Sequence, residues 1–289
     1  MKKLIRFAAI TAFLSLALAP FLRAQNLGNM PALATLESLA TLSALPEPAD
    51  DPLLDSSGNV VLDASGNPVS DPKETFHQVK PSEFDPAHSN LVQAAWLHGI
   101  GCPTSQSVQE FDAMGNLVMT TFADTACPTG DPNDQRNQGL LLAKTGPTNN
   151  NAAAVAELKK VRGITLTELG YDIRKSGVSA SPLGSHCGAG APRFDVITSD
   201  GVDHFLACNS PPALMQTPSA TGWIRLRWNA AGLAAAFPPI LPTDVVRRIV
   251  IVFDEGQDAS SGPDQFGAAI LDNIDVNGML VGRGATDAD

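Results

Sequence analysis

The stretch from Val245 to Gly278 reads VVRRIVIVFDEGQDASSGPDQFGAAILDNIDVNG, and its pattern decides the fold class. It contains two apolar runs, Ile249–Phe253 and Phe266–Ile274, joined by an acidic loop that contains glycine. Short apolar runs bounded by turn-forming residues are typical of β-strands. Because side chains alternate across a strand and both faces of the first run are largely apolar, we expect that strand to be central. The side chains expected to face the core are Ile249, Ile251 and Phe253. The opposite face of the strand carries Arg248, Val250 and Val252.

Similar runs recur from about Asn90 onward. Period-two alternation predicts further strands at Leu91–Leu97, Leu117–Phe122, Gly139–Ala143, Ile164–Ile173, Arg193–Thr198, Val202–Cys208, Gly222–Trp228, Arg247–Phe253 and Ala268–Val276. The sequence Ser199-Asp200-Gly201 predicts a tight hairpin between two of them. Strands that do not alternate with helices indicate an all-β chain folded as an antiparallel β-sandwich.

Two windows depart from plain strand alternation. Asn151–Lys160, NAAAVAELKK, predicts one short helix, because Ala, Glu, Leu and Lys favour helices and Asn can cap the first turn. In Ile164–Ile173 the apolar side chains change parity, which indicates a β-bulge or a strand bend, with Gly170 as its natural position.

The chain before the sandwich has a different character. Residues 1–24 have a basic start, an apolar run and a small-residue cleavage site, which predicts a signal peptide and a periplasmic or secreted protein. The alternative, a retained anchor, needs an apolar run of about 20 residues, and this run is shorter. No later stretch is apolar enough to predict a membrane span.

Three further segments complete the predicted organisation. Residues 25–89 form a flexible leader, residues 90–283 the sandwich domain, and residues 284–289 a disordered tail. Leucine recurs at every third position within residues 32–45, which predicts a short helix that either contacts a protein partner or lies on the main domain. Asp-x-x-Gly-Asn sequences beginning at Asp55, Asp63 and Asp112 predict turns.

The net charge argues against nucleic acid and anionic membranes as partners. The whole chain has 30 acidic and 19 basic residues, and four of the basic residues precede the predicted cleavage site. An acidic surface of this kind repels phosphate groups.

The four cysteines predict two disulfides, because an exported protein folds in an oxidising compartment. Four cysteines allow three connectivities. We expect Cys102–Cys127 and Cys187–Cys208, since each closes a local loop of roughly 20–25 residues and stabilises the fold by about 3 kcal/mol.

The strand Gly222–Trp228, GWIRLRW, carries the predicted ligand site. Trp223, Arg225 and Arg227 share one face, where an indole can stack on a sugar ring and guanidinium groups can donate to its hydroxyls. The opposite, core-facing set is Ile224, Leu226 and Trp228. The alternative is a solvated outer face on which the two arginines pair with acids of neighbouring strands.

Acidic residues near the C-terminus predict a structural calcium ion. Crowded carboxylates repel one another unless a cation or basic groups neutralise them, and Ca²⁺ takes roughly six to eight oxygen ligands. The predicted ligands are Asp254, Asp258, Asp264 and Asp272. The alternatives are solvated loop acids and, for Asp272, hydrogen bonds from backbone N–H groups.

The sequence contains no motif of a known catalytic site. The histidines are scattered, and there is no Gly-x-Ser-x-Gly, His-Glu-x-x-His or phosphate-binding loop. A carboxylate pair for glycoside hydrolysis stays open, because the separation of the acids cannot be read from the sequence.

Three segments resemble secreted bacterial β-sandwich modules of the galactose-binding-like jelly-roll type, a group that includes carbohydrate-binding modules. They are Cys187–Phe194 (CGAGAPRF), the Asp200-Gly201 hairpin with Phe205 to Cys208, and Ala268 to Gly278, which ends LDNIDVNG. The resemblance covers about residues 90–283. It implies a jelly roll, a structural calcium ion near the ends of the first and last strands, and glycan binding. It also makes Asp272 a cation ligand or a backbone anchor.

Three functional hypotheses follow. The first is a non-catalytic exported module that binds an extracellular glycan or a similar ligand. The second is a structural or adhesive envelope protein whose residues 32–45 contact a protein partner. The third is a polysaccharide hydrolase that uses carboxylates without a sequence motif.

Overall fold

The computed structural model describes residues 59, 61–62, 66, 75–146, 152–175, 192–207, 213–215, 219, 221–254 and 267–284. The predicted signal peptide and residues 32–45 lie outside this part of the chain, so both stay predictions. None of the helices among the described residues has the length and hydropathy of a membrane span.

The described residues are mostly β-structure. The strands are β1 Gln78–Phe84, β2 Val92–Leu97, β3 Gln106–Phe111, β4 Leu117–Phe122, β5 Gly139–Lys144, β6 Ala153–Lys159, β7 Glu168–Lys175, β8 Arg193–Thr198, β9 Asp203–Ala207, β10 Leu214–Met215, β11 Trp223–Asn229, β12 Val246–Phe253, β13 Gly267–Val276 and β14 Met279–Val281. One short helix, α1, spans Ala230–Ala234, and the Asn229 side chain caps it by accepting from the backbone N–H groups of Ala231 and Gly232.

The strands form two large antiparallel sheets and a separate hairpin. The five-stranded sheet has the order β1-β6-β12-β8-β9, and the seven-stranded sheet has the order β10-β11-β7-β13-β5-β2 with β14 beside β13. Successive strands change sheet from β1 to β2, β5 to β6, β6 to β7, β7 to β8, β9 to β10, β11 to β12 and β12 to β13, as in a jelly roll. The predicted fold class, an antiparallel jelly-roll sandwich with one short helix, is confirmed.

The core lies between the two sheets and has an aromatic centre. Tyr171 lies 5.3 Å from Phe194 and 5.7 Å from Trp228 between ring centroids, and these tilted and edge-on contacts tie the sheets together. The Tyr171 hydroxyl donates to the carbonyl oxygen of Pro192 at 2.6 Å. Burial raises the pKa of Tyr171, so this hydroxyl stays protonated.

The strand predicted to be central is central. β12 lies between β6 and β8, and its core set, Ile249, Ile251 and Phe253, is fully buried. The opposite set is covered as well, since Val252 is 1% and Val250 4% exposed. β13, the other half of the stretch, lies between β7 and β5 in the second sheet.

The prediction of a helix over Asn151–Lys160 is wrong, because this window forms β6. Its alanines Ala154 and Ala156 are fully buried in the core. β6 pairs with β1 on one side and β12 on the other. Helix propensities differ by less than about 1 kcal/mol per residue, so these tertiary contacts outweigh them.

The predicted leader ends at residue 89, and its last part belongs to the sandwich. β1 lies within it and pairs with β6 from Gln78 to Phe84. Val79 is fully buried and Phe76 is 3% exposed. The sandwich therefore includes residues well before Asn90.

The irregularity predicted near Gly170 lies on the neighbouring strand. Between Asp272 and Asp275, β13 has one residue more than β7 opposite it. Asn273, inside this bulge, has a φ of 46°, a left-handed conformation that Asn tolerates better than most residues. The bulge re-aims the β13 side chains that follow.

The β3–β4 hairpin pairs with neither large sheet. Its turn confirms the prediction at Asp112, whose Oδ1 accepts from the backbone N–H groups of Met114 and Asn116, each at 2.8 Å. Gly115 supplies the positive φ of 83° that the turn requires. The hairpin exposes large apolar side chains, namely Phe111, Met114, Leu117 and Met119.

Candidate functional site

The ligand site predicted on β11 is buried, so this prediction is wrong. Trp223 is 1% exposed and packs against Cys102, Ala126 and Cys127. Its indole cannot stack on a sugar, because the disulfide loop occupies that space. We call this outer face of the seven-stranded sheet the closed face, and it is formed by Asp172, Trp223, Arg225, Arg227, Asp272 and Asp275.

The two arginines of the predicted site pair with acids of neighbouring strands, as the alternative proposed, although the face is buried and not solvated. Asp172 on β7 accepts from Nε and Nη2 of Arg225 at 2.8 and 2.9 Å. Arg225 also donates to the Thr129 hydroxyl at 2.8 Å. Arg227 Nε lies 2.8 Å from Asp275 Oδ2. The ion pairs join β11 to β7 and β13, and the bond to Thr129 ties the segment after Cys127 to the sheet.

Gly170 allows the Arg227 side chain to cross β7. A Cβ atom at Gly170 would collide with that side chain and with the carbonyl oxygen of Leu226. Burial lowers the pKa of Arg227, while the carboxylates of Asp172 and Asp275 oppose this shift. The arginine is therefore fixed by both shape and charge.

Asp272 is a backbone anchor for the loop. Its Oδ2 accepts from Cys102 N and its Oδ1 from Asn273 N, both at 2.6 Å. The Asn273 side-chain oxygen continues the network by accepting from Asp131 N at 3.0 Å. Burial raises the pKa of Asp272 well above its ordinary value, although these backbone donors lower it.

The described members of the predicted calcium set belong to different sheets. Asp254 follows β12, and its Oδ2 accepts from Arg193 Nη1 at 2.8 Å, whereas Asp272 lies on β13. Asp258 and Asp264 lie outside the described residues. Calcium binding stays a prediction.

Another group of potential metal ligands does not suit a cation. Ligand atoms of Cys102, Cys127 and Asp172 lie within 4.8 Å of one another. The two sulfurs are bonded to each other, and Asp172 already faces two guanidinium groups. This group lies where the disulfide packs on the closed face.

One predicted disulfide is confirmed. Cys102 and Cys127 are bonded, with Cα atoms 6.2 Å apart. Cys187 and Cys208 lie outside the described residues, so their pairing stays a prediction. In the β8–β9 hairpin, Arg193 pairs with Ala207, which precedes Cys208 in the sequence.

We call the outer face of the five-stranded sheet the ion-pair face, and its residues differ from those of the closed face. It is formed by Lys80, Ser82, Val155, Glu157, Lys159, Arg193, Asp195, Phe205, Arg248, Val250 and Val252. Glu157 lies 2.7 Å from Lys159 Nζ and 2.9 Å from Arg248 Nε. Val250 lies between Glu157 on β6 and Asp195 on β8. Apolar positions therefore alternate with fixed charges across this sheet.

A second ion cluster on the same face joins Arg193, Asp195 and Asp254. Arg193 Nε lies 3.2 Å from Asp195 Oδ1, and its Nη1 lies 2.8 Å from Asp254 Oδ2. Burial raises the pKa of Asp195 to about 7, against the lowering effect of Arg193. Two buried atoms, Arg193 Nη2 and Asp195 Oδ2, have no hydrogen-bond partner in the described part of the chain.

Sequence reasoning missed this second cluster. The sequence pattern of Arg193-Phe194-Asp195 predicts only a strand. Its alternation did contain a signal, since two opposite charges flank a core phenylalanine and must share the outer face.

No family model and no curated protein matches the chain. Two solved structures are similar. One is the family 11 carbohydrate-binding module of cellulosomal cellulase Lic26A-Cel5E of Clostridium thermocellum, with 11% identity, a TM-score of 0.30, and coverage of 74% of this chain and 94% of that chain.

The other is a family 11 carbohydrate-binding module from Clostridium thermocellum in complex with a β-1,3-1,4-mixed-linked tetrasaccharide. It has 13% identity and a TM-score of 0.26, and covers 72% of this chain and 99% of that chain. The strand order establishes the sandwich fold without them. At these identities they do not assign a ligand or a site.

Proposed function

We propose that the protein is an exported, non-catalytic module that binds an extracellular glycan across the ion-pair face. The observation that carries the proposal is the row of fixed, partly exposed charged groups of Glu157, Lys159 and Arg248 across β6 and β12. A sugar ring presents hydroxyls in fixed directions, so oriented donors and acceptors on a protein surface are complementary to it.

The fixed geometry of the charged groups supports the same proposal. The side chains of Glu157, Lys159 and Arg248 are only 13–17% exposed and are joined by short ion pairs. Because their rotamers are already restricted, ligand binding costs less conformational entropy than it would on a mobile charged surface. Phe205, half-buried at the edge of the face, offers a ring for stacking.

The closed face does not support ligand binding in the same way. Its tryptophan is covered and its arginines are engaged with Asp172, Thr129 and Asp275. The family 11 modules named above are carbohydrate-binding modules, but the proposal rests on the ion-pair face.

The experiment is a comparison of two matched substitutions on edge strands. Ser82→Arg adds bulk to the ion-pair face on β1, and Gln93→Arg adds the same bulk to the outer face of the seven-stranded sheet on β2; both residues are exposed. Affinity electrophoresis against a polysaccharide panel should show binding by the wild type, several-fold weaker binding by Ser82→Arg, and unchanged binding by Gln93→Arg.

Two results would contradict the proposal. The wild type could bind no polysaccharide in the panel, or both variants could bind as the wild type does.

Export has its own test. After expression of the full chain, fractionation should recover a periplasmic or secreted protein that begins after Ala24.

A further inference from the structure

The β3–β4 hairpin, which we call the arm, is apolar and exposed on both faces. It pairs with neither large sheet, and Leu117, Met119 and Phe122 on β4 are 56%, 61% and 49% exposed. Because successive side chains of a strand point to opposite faces, Phe122 lies on the face opposite to Leu117 and Met119. Neither face of β4 is therefore buried against the described part of the chain.

The arm lacks the burial that normally orders a hairpin. A two-stranded hairpin alone is at best marginally stable in water, and it needs a further strand or a packed apolar face. Phe111 and Met114, near the tip, add exposed apolar surface at 75% and 84% exposure. Contiguous apolar surface of this kind marks an interaction site, and a partner that covers the arm would supply the missing burial.

The outer edge of β4 is open to another strand. Asp112 N donates to the carbonyl oxygen of Asn116 at 2.9 Å. Because bonded and non-bonded pairs alternate along an antiparallel ladder, Leu117 and Met119 direct their N–H and C=O groups away from β3. On that side β4 has no neighbouring strand among the described residues, so these backbone groups are positioned to bond to an added strand.

The other sheet edges are protected against such pairing. β1 carries Pro81 and Glu83, and proline and charge both oppose edge pairing. Glu83 also accepts from Ala94 N on β2 at 3.4 Å, and Phe205 on β9 is bridged to Phe237. β10 and β14 have only two and three residues. β4 differs from all of them, because its six residues, LVMTTF, include neither a charge nor a proline.

We infer that β4 pairs in antiparallel orientation with β4 of a second copy of this chain, so that two arms form one four-stranded sheet. Since β4 contains no charged residue, no like charges face each other across this pair. A two-fold axis near Met119 places Leu117 of one copy opposite Thr121 of the other. The two tips, each with Asp112, then lie at opposite ends of the new sheet.

The charge of the arm argues against a lipid surface as its occupant. Residues 103–126, between the bonded cysteines, contain three acidic residues and no Lys or Arg. Segments that lie in a membrane interface are typically rich in basic residues, which attract anionic head groups. An identical arm requires no such charge, because apolar burial and backbone hydrogen bonds hold it. The inference is independent of the proposed function.

The test is the molar mass of the purified protein, measured by light scattering after size exclusion over a concentration series. The wild type should approach twice the monomer mass as concentration rises. Met119→Lys should dimerise at least about 10-fold more weakly, because it replaces a buried apolar side chain in each copy by a charge. Gln109→Lys is the matched control, since Gln109 is the register partner of Met119 on β3, and it should dimerise as the wild type does.

Salt provides a measurement that needs no variant. Each copy is acidic overall, so added salt screens the repulsion between copies and should strengthen dimerisation. Dimerisation that weakens with salt would indicate ion pairs and would overturn the inference. Because Met119 is exposed in the monomer, Met119→Lys should keep the near-UV circular dichroism of the wild type.

Several results would overturn the pairing of β4 with β4. The wild type could stay monomeric at every concentration, or Met119→Lys could dimerise as the wild type does. An equal loss in Met119→Lys and Gln109→Lys would mean that the copies stack through a face of the arm and not through its edge. A monomer that floats with phosphatidylcholine vesicles would assign the arm to a lipid surface. Glycan affinity is measured separately, and none of these results decides it.

Discussion

The two outer faces of the sandwich use the same residue types in different ways. On the closed face, Asp172 and Asp275 pair with Arg225 and Arg227, and the disulfide packs on Trp223 beside them. On the ion-pair face, Arg193 and its acids leave one donor and one acceptor free. Arginine and aspartate on neighbouring strands therefore do not indicate a ligand site by themselves. The unsatisfied atoms distinguish the two faces.

The largest effect is expected on the closed face, from Asp172→Ala. Asp172 is fully buried and faces both arginines, so its removal leaves Arg225 without its carboxylate partner and Arg227 with Asp275 alone. We expect a loss of about 3–5 kcal/mol in the free energy of unfolding, measured by urea denaturation. A loss similar to that of Glu157→Gln on the ion-pair face would mean that the two faces do not differ in this way.

The disulfide is expected to have the next largest effect. Replacing Cys102 and Cys127 together by alanine releases a loop with a sequence separation of 25, which should lower the free energy of unfolding by about 3 kcal/mol. Glycan affinity should not change, because the loop lies on the closed face. A parallel loss of affinity in the folded variant would place the ligand on that face.

Asp195→Asn should change stability in a pH-dependent manner. Burial raises the pKa of Asp195 to about 7, from an ordinary 3.8. Arg193 lowers this pKa, and the negative charges of Asp254 and Asp203 raise it. The folded state therefore favours the protonated acid, and wild-type stability falls as pH rises from about 4 to 7. Relative to the wild type, the variant should gain on the order of 3 kcal/mol between pH 4 and pH 8.

Thermal unfolding of both proteins across this pH range gives the measurement, and ionisations elsewhere cancel in the difference. A difference that stays constant from pH 4 to pH 8 would show that Asp195 ionises as a solvated acid does.

The smallest effect is expected from Arg248→Gln. The pair with Glu157 spans 2.9 Å between side chains that are 13% and 14% exposed, and Glu157 keeps Lys159 as a partner. We expect a loss below about 1 kcal/mol that shrinks with added salt. A loss as large as that of Asp172→Ala would indicate that this face also carries a buried structural network.

Strands can be predicted from the sequence because the alternation of side chains between the two faces is visible within a few residues. β12, the Asp112 turn and the Cys102–Cys127 disulfide all follow from patterns within a few tens of residues. β6 does not, because its alanines favour a helix locally and the neighbours that make it a strand, β1 and β12, are distant in the chain.

The site was harder to predict for a related reason. The pattern of β11 shows that Trp223, Arg225 and Arg227 share a face, but not what covers it. The cover comes from Cys102, Cys127 and Thr129, about a hundred residues earlier. The Arg193–Asp195 cluster also depends on Asp254, which reaches it only through sheet register.

The disulfide loop has a consequence for engineering. The whole β3–β4 hairpin lies between Cys102 and Cys127, and the sandwich holds the base of the loop through the disulfide and through Asp272. The hairpin can therefore be shortened, lengthened or replaced by an unrelated peptide without moving a core strand. Its exposed Phe111, Met114 and Leu117 make it the natural position for a grafted epitope or a solubilising insert.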